Sequence, residues 1–350
     1  MNHACTYFDS GFLIQGLALW RSLARHDPDA ALWVLALDET VTEALNRLGD
    51  PNLRVVKLGD LENGYAELAK AKADRSRTEY MFTLSPCWPL WLLEHHPEIG
   101  RITYLDADLF FFSSPASIFQ AMDEAGASVL ITPHRFSAWQ RHYEKHGRYN
   151  VGVLSFRNDE AGLTCLRGWR AQCIAWCFDR IEEGRYADQK YLDAWPGRLG
   201  GALLVLEHPG VNLAPWNWSQ CALEPGEPPR VDGKPVVVFH FARFRPTGEG
   251  RWWQSGQLDY GVMPQAWRDA LYTPYWRALQ SARAELRRIA PEVDFPRRAA
   301  RLGRTFWRAL PLRALFGGTW LRLGDRFFNL RCGLGRYSGR VLSALRRLAG

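Results

Sequence analysis

Five alternating segments at the start of this chain constrain its fold more than any other feature. Three short apolar runs typical of buried strands alternate with two segments whose apolar side chains follow helical spacing. In chain order these segments are residues 4–7, 12–25, 32–37, 41–48 and 53–58. Strands that alternate with helices in this way predict a parallel sheet with right-handed crossovers. We therefore expect an α/β protein that binds its ligand at the carboxyl ends of the strands.

The pattern continues over the next 180 residues. Ser85 and Pro86 fit the N-cap and the first position of a helix. We predict further strands at residues 102–105, 128–131, 151–156, 203–206 and 236–239, a long helix at 163–180, and a surface loop at 223–234. No run of about 18 apolar residues predicts a spanning helix.

Two carboxylates separated by one residue lie between two apolar runs. Asp106 and Asp108 follow residues 102–105 and precede residues 109–112. Burying such a pair costs free energy unless a counter-charge is present, and a divalent ion with oxygen ligands would supply it. The alternative is a free loop with two solvated acids, against which the apolar flanks argue.

Composition narrows the class of protein. The seven cysteines are scattered, and Cys165, Cys173 and Cys177 lack further partners at ligand spacing, so packed free thiols are favoured over a metal site. The first residues do not resemble a signal peptide. These features predict a cytoplasmic protein. The sixteen tryptophans are compatible with sugar, membrane or protein contacts, although core packing is the more common role of Trp.

Positive charge is concentrated at the end of the chain. Residues 297–350 hold thirteen arginines and one acidic residue, Asp325, interleaved with Leu, Phe and Trp, and the net charge of the whole chain is +7. Basic amphipathic helices with aromatic faces bind membrane interfaces. We expect this tail to contact an anionic surface at the inner membrane face. Packing on the body of the protein is the alternative, and nucleic-acid binding is disfavoured.

Four motifs in order resemble glycosyltransferases of the GT-A fold, and family 8 in particular. The segments are Tyr104-Leu105-Asp106-Ala107-Asp108, Tyr149-Asn150-Val151-Gly152-Val153, Ala187-Asp188-Gln189 and Val238-Phe239-His240-Phe241. Residues 149–152, 188–192 and 210–217 also resemble a little-characterised bacterial group of nucleotide-diphospho-sugar transferases. Together these likenesses cover roughly residues 4–245.

The resemblance implies a fold and an activity. The fold is a Rossmann-like, mostly parallel mixed sheet flanked by helices, at residues 1–260, with a helical, Arg-rich extension at 261–350. The activity is metal-dependent transfer of a sugar from a nucleotide diphosphate donor, a UDP-sugar with retention, to a cell-surface glycan or lipid-linked acceptor. Asp106, Asp108 and His240 would hold Mn²⁺ or Mg²⁺, whose charge stabilises a departing diphosphate. A structural, hydrogen-bonded His240 is the alternative.

The resemblance also assigns the donor and the catalytic residues. Asp188 and Gln189 would lie on the sugar side and stabilise the transition state, although Asp188 also fits a helix N-cap. The predicted donor contacts are Thr6, Tyr7, Asp9, Arg75, Arg77, Asp106, Asn150 and Gly152. For Arg75 and Arg77 a solvated charge run is an equal alternative. The sugar or acceptor side would be lined by His134, Asn212, Trp216 and Asn217.

Three observations bear on competing functions. The run Arg243-Phe244-Arg245 follows His240 where family 8 has Gly and Lys-Pro-Trp, so an arginine would replace that lysine on the diphosphate. A phosphohydrolase of the haloacid dehalogenase type also has Asp-x-Asp after a strand, but Leu109-Phe110 departs from its usual Gly-Thr. A non-catalytic sugar- or membrane-binding module is the remaining alternative, against which the complete set of motifs argues.

Overall fold

A computed structural model of the protein describes residues 1–248, 251–253, 260–261 and 263–292. The basic tail, residues 297–350, lies outside the described residues, so its predicted helices and membrane contact stay predictions. None of the helices in the described part of the chain is long and apolar enough to cross a membrane.

The elements follow the predicted alternation of strands and helices. The strands are β1 (His3–Phe8), β2 (Ala31–Ala36), β3 (Leu53–Lys57), β4 (Arg101–Leu105), β5 (Leu109–Phe111), β6 (Val129–Pro133), β7 (Tyr149–Arg157), β8 (Leu203–Val205), β9 (Leu223–Glu224), β10 (Arg230–Val231), β11 (Lys234–Pro235), β12 (Val238–His240), β13 (Arg245–Gly248) and β14 (Arg251–Trp253). The α-helices are α1 (Leu13–His26), α2 (Glu39–Leu48), α3 (Leu58–Gly64), α4 (Leu68–Asp74), α5 (Arg77–His95), α6 (Ala116–Glu124), α7 (Glu160–Ala175) and α8 (Trp195–Leu199), with α9 (Thr273–Ile289) after helical turns at Gln265–Trp267 and Arg268–Tyr272. Short 3₁₀ turns lie at Ser10–Phe12, Arg141–His146, Lys190–Ala194, Gly200–Ala202 and Trp218–Gln220.

Seven strands form the central sheet in the order β3-β2-β1-β4-β7-β6-β8. β1 pairs in parallel with β2 and β4, β2 with β3, and β6 with β8, whereas β7 runs antiparallel to both of its neighbours. This is the mostly parallel, mixed sheet flanked by helices that the resemblance to GT-A enzymes implied, and that prediction is confirmed.

Helices cover both faces of the sheet because the strands alternate their side chains between two apolar layers. Along β2, Leu32 and Val34 belong to the layer with α1, α2, α6 and α9, whereas Trp33 and Leu35 belong to the layer with α5 and α7. Buried Leu279 and Leu286 of α9 join the first layer. A sheet covered in this way leaves its strand ends as the accessible edge.

One edge of the sheet collects residues that are distant in sequence. The carboxyl ends of β1, β4 and β6 point to the same side, and the amino end of the antiparallel β7 points there as well. Asp9, Asp106, His134 and Asn150 therefore follow or begin strands at one edge. Outside the central sheet, β12 pairs with β5 and adds His240 to this edge.

Three predicted elements need correction. The helix before the aspartate pair begins at Arg77, not at Ser85, because Ser76 and Glu79 form a capping box that satisfies its first N–H groups. Pro86 and Pro89 lie inside this largely buried helix, where packing outweighs their helix-breaking tendency. Residues 223–235 form the small antiparallel sheet β9–β11 instead of a plain loop. Helix α7 ends at Ala175, five residues before the predicted end.

Candidate active site

The aspartate pair occupies the turn between β4 and β5. The Asp106 N–H donates to the Gly152 carbonyl at 3.0 Å, which continues the pairing of β4 with β7, and the Leu109 N–H donates to the Asp106 carbonyl at 3.2 Å. The Tyr104 hydroxyl donates to Asp106 Oδ1 at 2.9 Å. The turn is therefore held by the sheet on one side and by a buried tyrosine on the other.

His240 reaches the aspartates through β12. In the antiparallel pair of β12 with β5, His240 lies opposite Leu109, one residue after Asp108. The Phe241 N–H donates to the Asp108 carbonyl at 2.9 Å, and the His240 N–H donates to the Leu213 carbonyl at 2.7 Å. The backbone therefore fixes the distance between the imidazole and the carboxylates.

The three side chains converge on one point. His240 Nε2 lies 3.0 Å from Asp108 Oδ1 and 3.6 Å from Asp106 Oδ2. Burial lowers the pKa of His240, but the carboxylates of Asp108 and Asp106 more than offset this, so its pKa is raised. Burial raises the pKa of Asp106, which the charge of His240 opposes. The two carboxylates thus favour a positive charge beside them.

These donor atoms fit a divalent metal. One ligand atom from each of Asp106, Asp108 and His240 lies within 4.8 Å of the others, and among the described residues no other such group of His, Cys, Asp or Glu was found. Carboxylate oxygens with one imidazole suit Mn²⁺ and Mg²⁺ among the biologically available ions. Three protein ligands leave coordination positions for the oxygens of a substrate.

Gly152 leaves the space that the His240 imidazole occupies. A Cβ at this position would lie 2.7 Å from Asn150 Oδ1 and 2.8 Å from both Cε1 and Nδ1 of His240. Gly152→Ala should therefore displace the imidazole, lower Mn²⁺ affinity about 10-fold and destabilise the protein by ~1–3 kcal/mol. Thermal unfolding with and without Mn²⁺ measures both effects.

Gly168 of helix α7 supplies the matched control. A Cβ there meets no heavy atom within 4 Å, so Gly168→Ala should stabilise the helix by ~0.5–1 kcal/mol and leave the response to Mn²⁺ unchanged. Equal Mn²⁺ responses of Gly152→Ala and the wild type would contradict the predicted role of Gly152.

Asp188 is buried beside the same edge. The pKa of Asp188 is raised to about 7 by burial and by the charge of Asp106, against a hydrogen bond from Ser85 that lowers it. The Trp169 indole donates to the Asp188 carbonyl at 2.8 Å. Asp188 follows Ala187, whose φ of 46° is unfavourable for a residue with a Cβ. Because its pKa is raised to about 7, the Asp188 carboxyl can keep its proton near neutral pH.

Gln189 and Asn150, two of the predicted site residues, are in direct contact. Asn150 Nδ2 donates to Gln189 Oε1 at 3.3 Å, and Gln189 Nε2 donates to the His146 carbonyl at 3.1 Å. Asp188 is not the N-cap of the helical turn that follows. This 3₁₀ turn begins at Lys190, and its N-cap is Gln189.

Three predicted donor contacts lie at the carboxyl end of β1: Thr6 and Tyr7 belong to the strand, and Asp9 follows it. Asp9 accepts a hydrogen bond from the Arg77 guanidinium at 2.8 Å, so two of the predicted donor contacts meet, and the Arg77 side chain is 70% exposed. The Tyr7 hydroxyl and the Ser85 hydroxyl are 3.0 Å apart. Thr6 is fully buried and pairs with Val34 of β2, so its predicted contact with a ligand is not available in this structure.

Arg75 is a correction to the predicted donor contacts. Its guanidinium is buried and donates to Thr83 Oγ1, to the Cys173 carbonyl at 2.7 Å and to the Ile174 carbonyl at 2.6 Å. These bonds satisfy carbonyls at the end of α7, where the helix leaves its last acceptors unpaired. Arg75 therefore connects α5 to α7 and is not available to a diphosphate in this structure.

The four residues expected on the sugar side form one buried group. His134 contacts Trp216 with ring centroids 5.3 Å apart, and Trp216 contacts His240 at 5.1 Å. Asn217 Nδ2 donates to the carbonyls of His134 and Asn212, at 3.0 and 3.2 Å. Burial lowers the pKa of His134 to about 3, so this imidazole is neutral.

Sequence reasoning missed two features of this site. Ser85 was predicted as a helix cap but lies against Tyr7 and influences Asp188. Four of the five described non-glycine residues with positive φ lie in segments at the site: Arg135, Ala187, Asn212 and Arg243. Backbone strain of this kind clusters at functional sites. Of these four residues only Asn212 is of a type that tolerates positive φ, so nothing in the sequence indicated the other three.

Comparisons with known proteins give relatives and a structural likeness. No protein-family model matches the chain. The chain is 34% identical over 252 residues to the uncharacterized protein YfnF of Bacillus subtilis, covering 69% of this chain and 81% of that protein. It is 29% identical over 280 residues to the uncharacterized protein YfnD of the same organism, covering 78% and 87%. A crystal structure of the galactosyltransferase LgtC in complex with donor and acceptor sugar analogs is similar, with a TM-score of 0.49 and 17% identity, covering 77% of this chain and 100% of that chain.

Proposed function

The chain belongs to the family of the Bacillus subtilis protein YfnF, and we propose that it is a divalent-metal-dependent glycosyltransferase. In this proposal it takes a sugar from a nucleotide diphosphate donor, a UDP-sugar, and transfers it with retention to a cell-surface glycan or lipid-linked acceptor. The observation that carries the proposal is the convergence of Asp106, Asp108 and His240 at the ligand-binding edge of the sheet, with Asp188 and Gln189 nearby.

The triad suits the leaving group of such a reaction. A departing nucleoside diphosphate carries negative charge, and a bound Mn²⁺ or Mg²⁺ neutralises its oxygens. Asp106 and Asp108 would hold the ion from the β4–β5 turn, and His240 would hold it from β12. All three positions are fixed by backbone hydrogen bonds, so little reorganisation is needed when substrate binds.

The other residues suit the sugar and the nucleoside. Asp188, with its pKa raised to about 7, can donate a hydrogen bond to a sugar hydroxyl near neutral pH. Gln189 Oε1 keeps a second lone pair that can face positive charge developing on the sugar ring. Asp9 would bind polar groups of the nucleoside, and Arg77, which pairs with Asp9 beside the end of β1, would contact the diphosphate.

A donor screen tests the proposal. Full-length protein is mixed with UDP-, GDP-, ADP- and CMP-linked sugars, with and without Mn²⁺, and both thermal stabilisation and donor hydrolysis are measured. We expect a UDP-sugar to raise the melting temperature and to be slowly hydrolysed only when Mn²⁺ is present, because the ion bridges diphosphate and protein. Absence of a metal-dependent response to every donor would count against a transferase.

A further inference from the structure

A chain of side-chain hydrogen bonds connects the partly buried Gln189 to the buried His240. Asn150 Nδ2 lies 3.3 Å from Gln189 Oε1, Asn150 Oδ1 lies 2.9 Å from Asn212 Nδ2, and Asn212 Oδ1 lies 3.3 Å from His240 Nδ1. Each amide has one donor end and one acceptor end, so the direction of the chain can be worked out from its partners. The direction decides which nitrogen of His240 carries a proton.

Backbone groups fix the orientation of Asn150 from two sides. The Gly152 N–H, which can only donate, lies 2.9 Å from Asn150 Oδ1 and identifies that atom as oxygen. The His146 carbonyl, which can only accept, receives a hydrogen bond from Gln189 Nε2, so Gln189 presents its oxygen to Asn150 Nδ2. The two independent constraints give the same orientation.

The orientation of Asn150 then determines that of Asn212. Because Asn150 Oδ1 is an acceptor, the atom of Asn212 that faces it is the amide nitrogen. This nitrogen also donates to Thr132 Oγ1 at 2.8 Å. The remaining atom, Asn212 Oδ1, is an acceptor that faces His240 Nδ1, so this ring nitrogen is the one that donates.

We propose that Asn212 is a positioning residue that holds His240 in the Nδ1–H tautomer and turns Nε2, with its lone pair free, toward the metal site. This inference rests on the proposed function, since its consequence is metal affinity. The amide is held rigidly because Asn212 is fully buried and has a φ of 52°, a conformation that Asn tolerates. The Arg135 guanidinium donates to the carbonyls of His208 and Val211, at 3.0 and 2.9 Å, and fixes the preceding loop.

Mn²⁺ binding to the full-length chain tests the inference. Asn212→Gly keeps a residue that accepts positive φ and removes the amide, and should weaken Mn²⁺ binding about 10- to 100-fold in a calorimetric titration. Asn217→Ala is the matched control, because in the described structure the Asn217 side chain, in the same loop, hydrogen-bonds to backbone groups and not to the His240 imidazole. It should lower the melting temperature and keep Mn²⁺ affinity within about twofold.

A spectroscopic readout separates positioning from loss of structure. In protein with ¹⁵N-labelled histidine and saturating Mg²⁺, with His240→Gln used for assignment, the His240 signals should show the Nδ1–H tautomer. An Nε2–H tautomer in the wild type, equal Mn²⁺ affinity in Asn212→Gly, or equal losses in Asn212→Gly and Asn217→Ala would overturn the inference. Wild-type protein that binds no Mn²⁺ would overturn it together with the proposed function, so the two failures are distinguishable.

Discussion

Asp108→Asn is expected to abolish the metal-dependent reaction, with a loss in rate of about 10³-fold or more. Asp108 provides the carboxylate oxygen closest to His240 Nε2, at 3.0 Å, and it lies at the centre of the candidate metal site. The substitution keeps the size of the side chain and removes its charge. Loss of several kcal/mol of stabilisation of a departing diphosphate corresponds to a rate loss of about this size.

Initial rates with the best donor, measured over a series of Mn²⁺ concentrations, check this expectation. Asp123→Asn is the control, because Asp123 is a partly exposed acid that pairs with Arg101 and Arg157 on the surface, and its loss should cost under ~1 kcal/mol of stability. The control should retain wild-type rates. Retention of the wild-type metal dependence by Asp108→Asn would rule out this site as the reaction's metal centre.

Asp188→Asn is expected to remove a pH-dependent loss of stability. In the folded protein the pKa of Asp188 is raised from 3.8 to about 7, and burial is the largest cause. Between these values the unfolded chain ionises while the folded protein keeps the proton, so the free energy of unfolding falls as pH rises to about 7. A shift of this size costs up to ~4 kcal/mol. Asparagine is neutral at every pH and lacks this cost.

Urea unfolding at pH 4 and pH 8, in buffer with a chelator, measures the effect. The stability of Asp188→Asn relative to wild type should increase by ~2–4 kcal/mol from pH 4 to pH 8. Ser85→Ala is the companion variant, because the Ser85 hydrogen bond lowers the pKa of Asp188 and its removal should move the transition to higher pH. A difference between wild type and Asp188→Asn that is constant with pH would show that Asp188 ionises normally.

Much of the fold and part of the site followed from local sequence patterns. The alternation of strands and helices over residues 4–58 predicted the parallel part of the sheet, because apolar periodicity is a local property. The aspartate pair at the end of β4 was expected at the ligand-binding edge for the same reason. The joining of His240 to this pair came from motif order, and the pairing of β12 with β5 then gave it a geometry.

Other assignments failed because the deciding interactions are distant in sequence. Arg75 and Arg77 lie two residues apart in the same polar stretch of sequence. Nevertheless, the Arg75 guanidinium is buried against carbonyls of α7, whereas the Arg77 guanidinium is exposed beside Asp9. The start of α5 was misplaced because Pro86 is a stronger local signal than the capping box at Ser76, although packing tolerates the proline.

The sequence alone determined the class of fold and which residue types are available to bind a metal. Only the tertiary structure decided which of these side chains contact one another. Asn150 of β7, Asn212 and His240 of β12 come from three separate segments, and only the folded chain brings their side chains within hydrogen-bond distance and so orients His240. Periodicity reports which side of an element is buried, whereas hydrogen-bond direction depends on which atoms meet across the sheet edge.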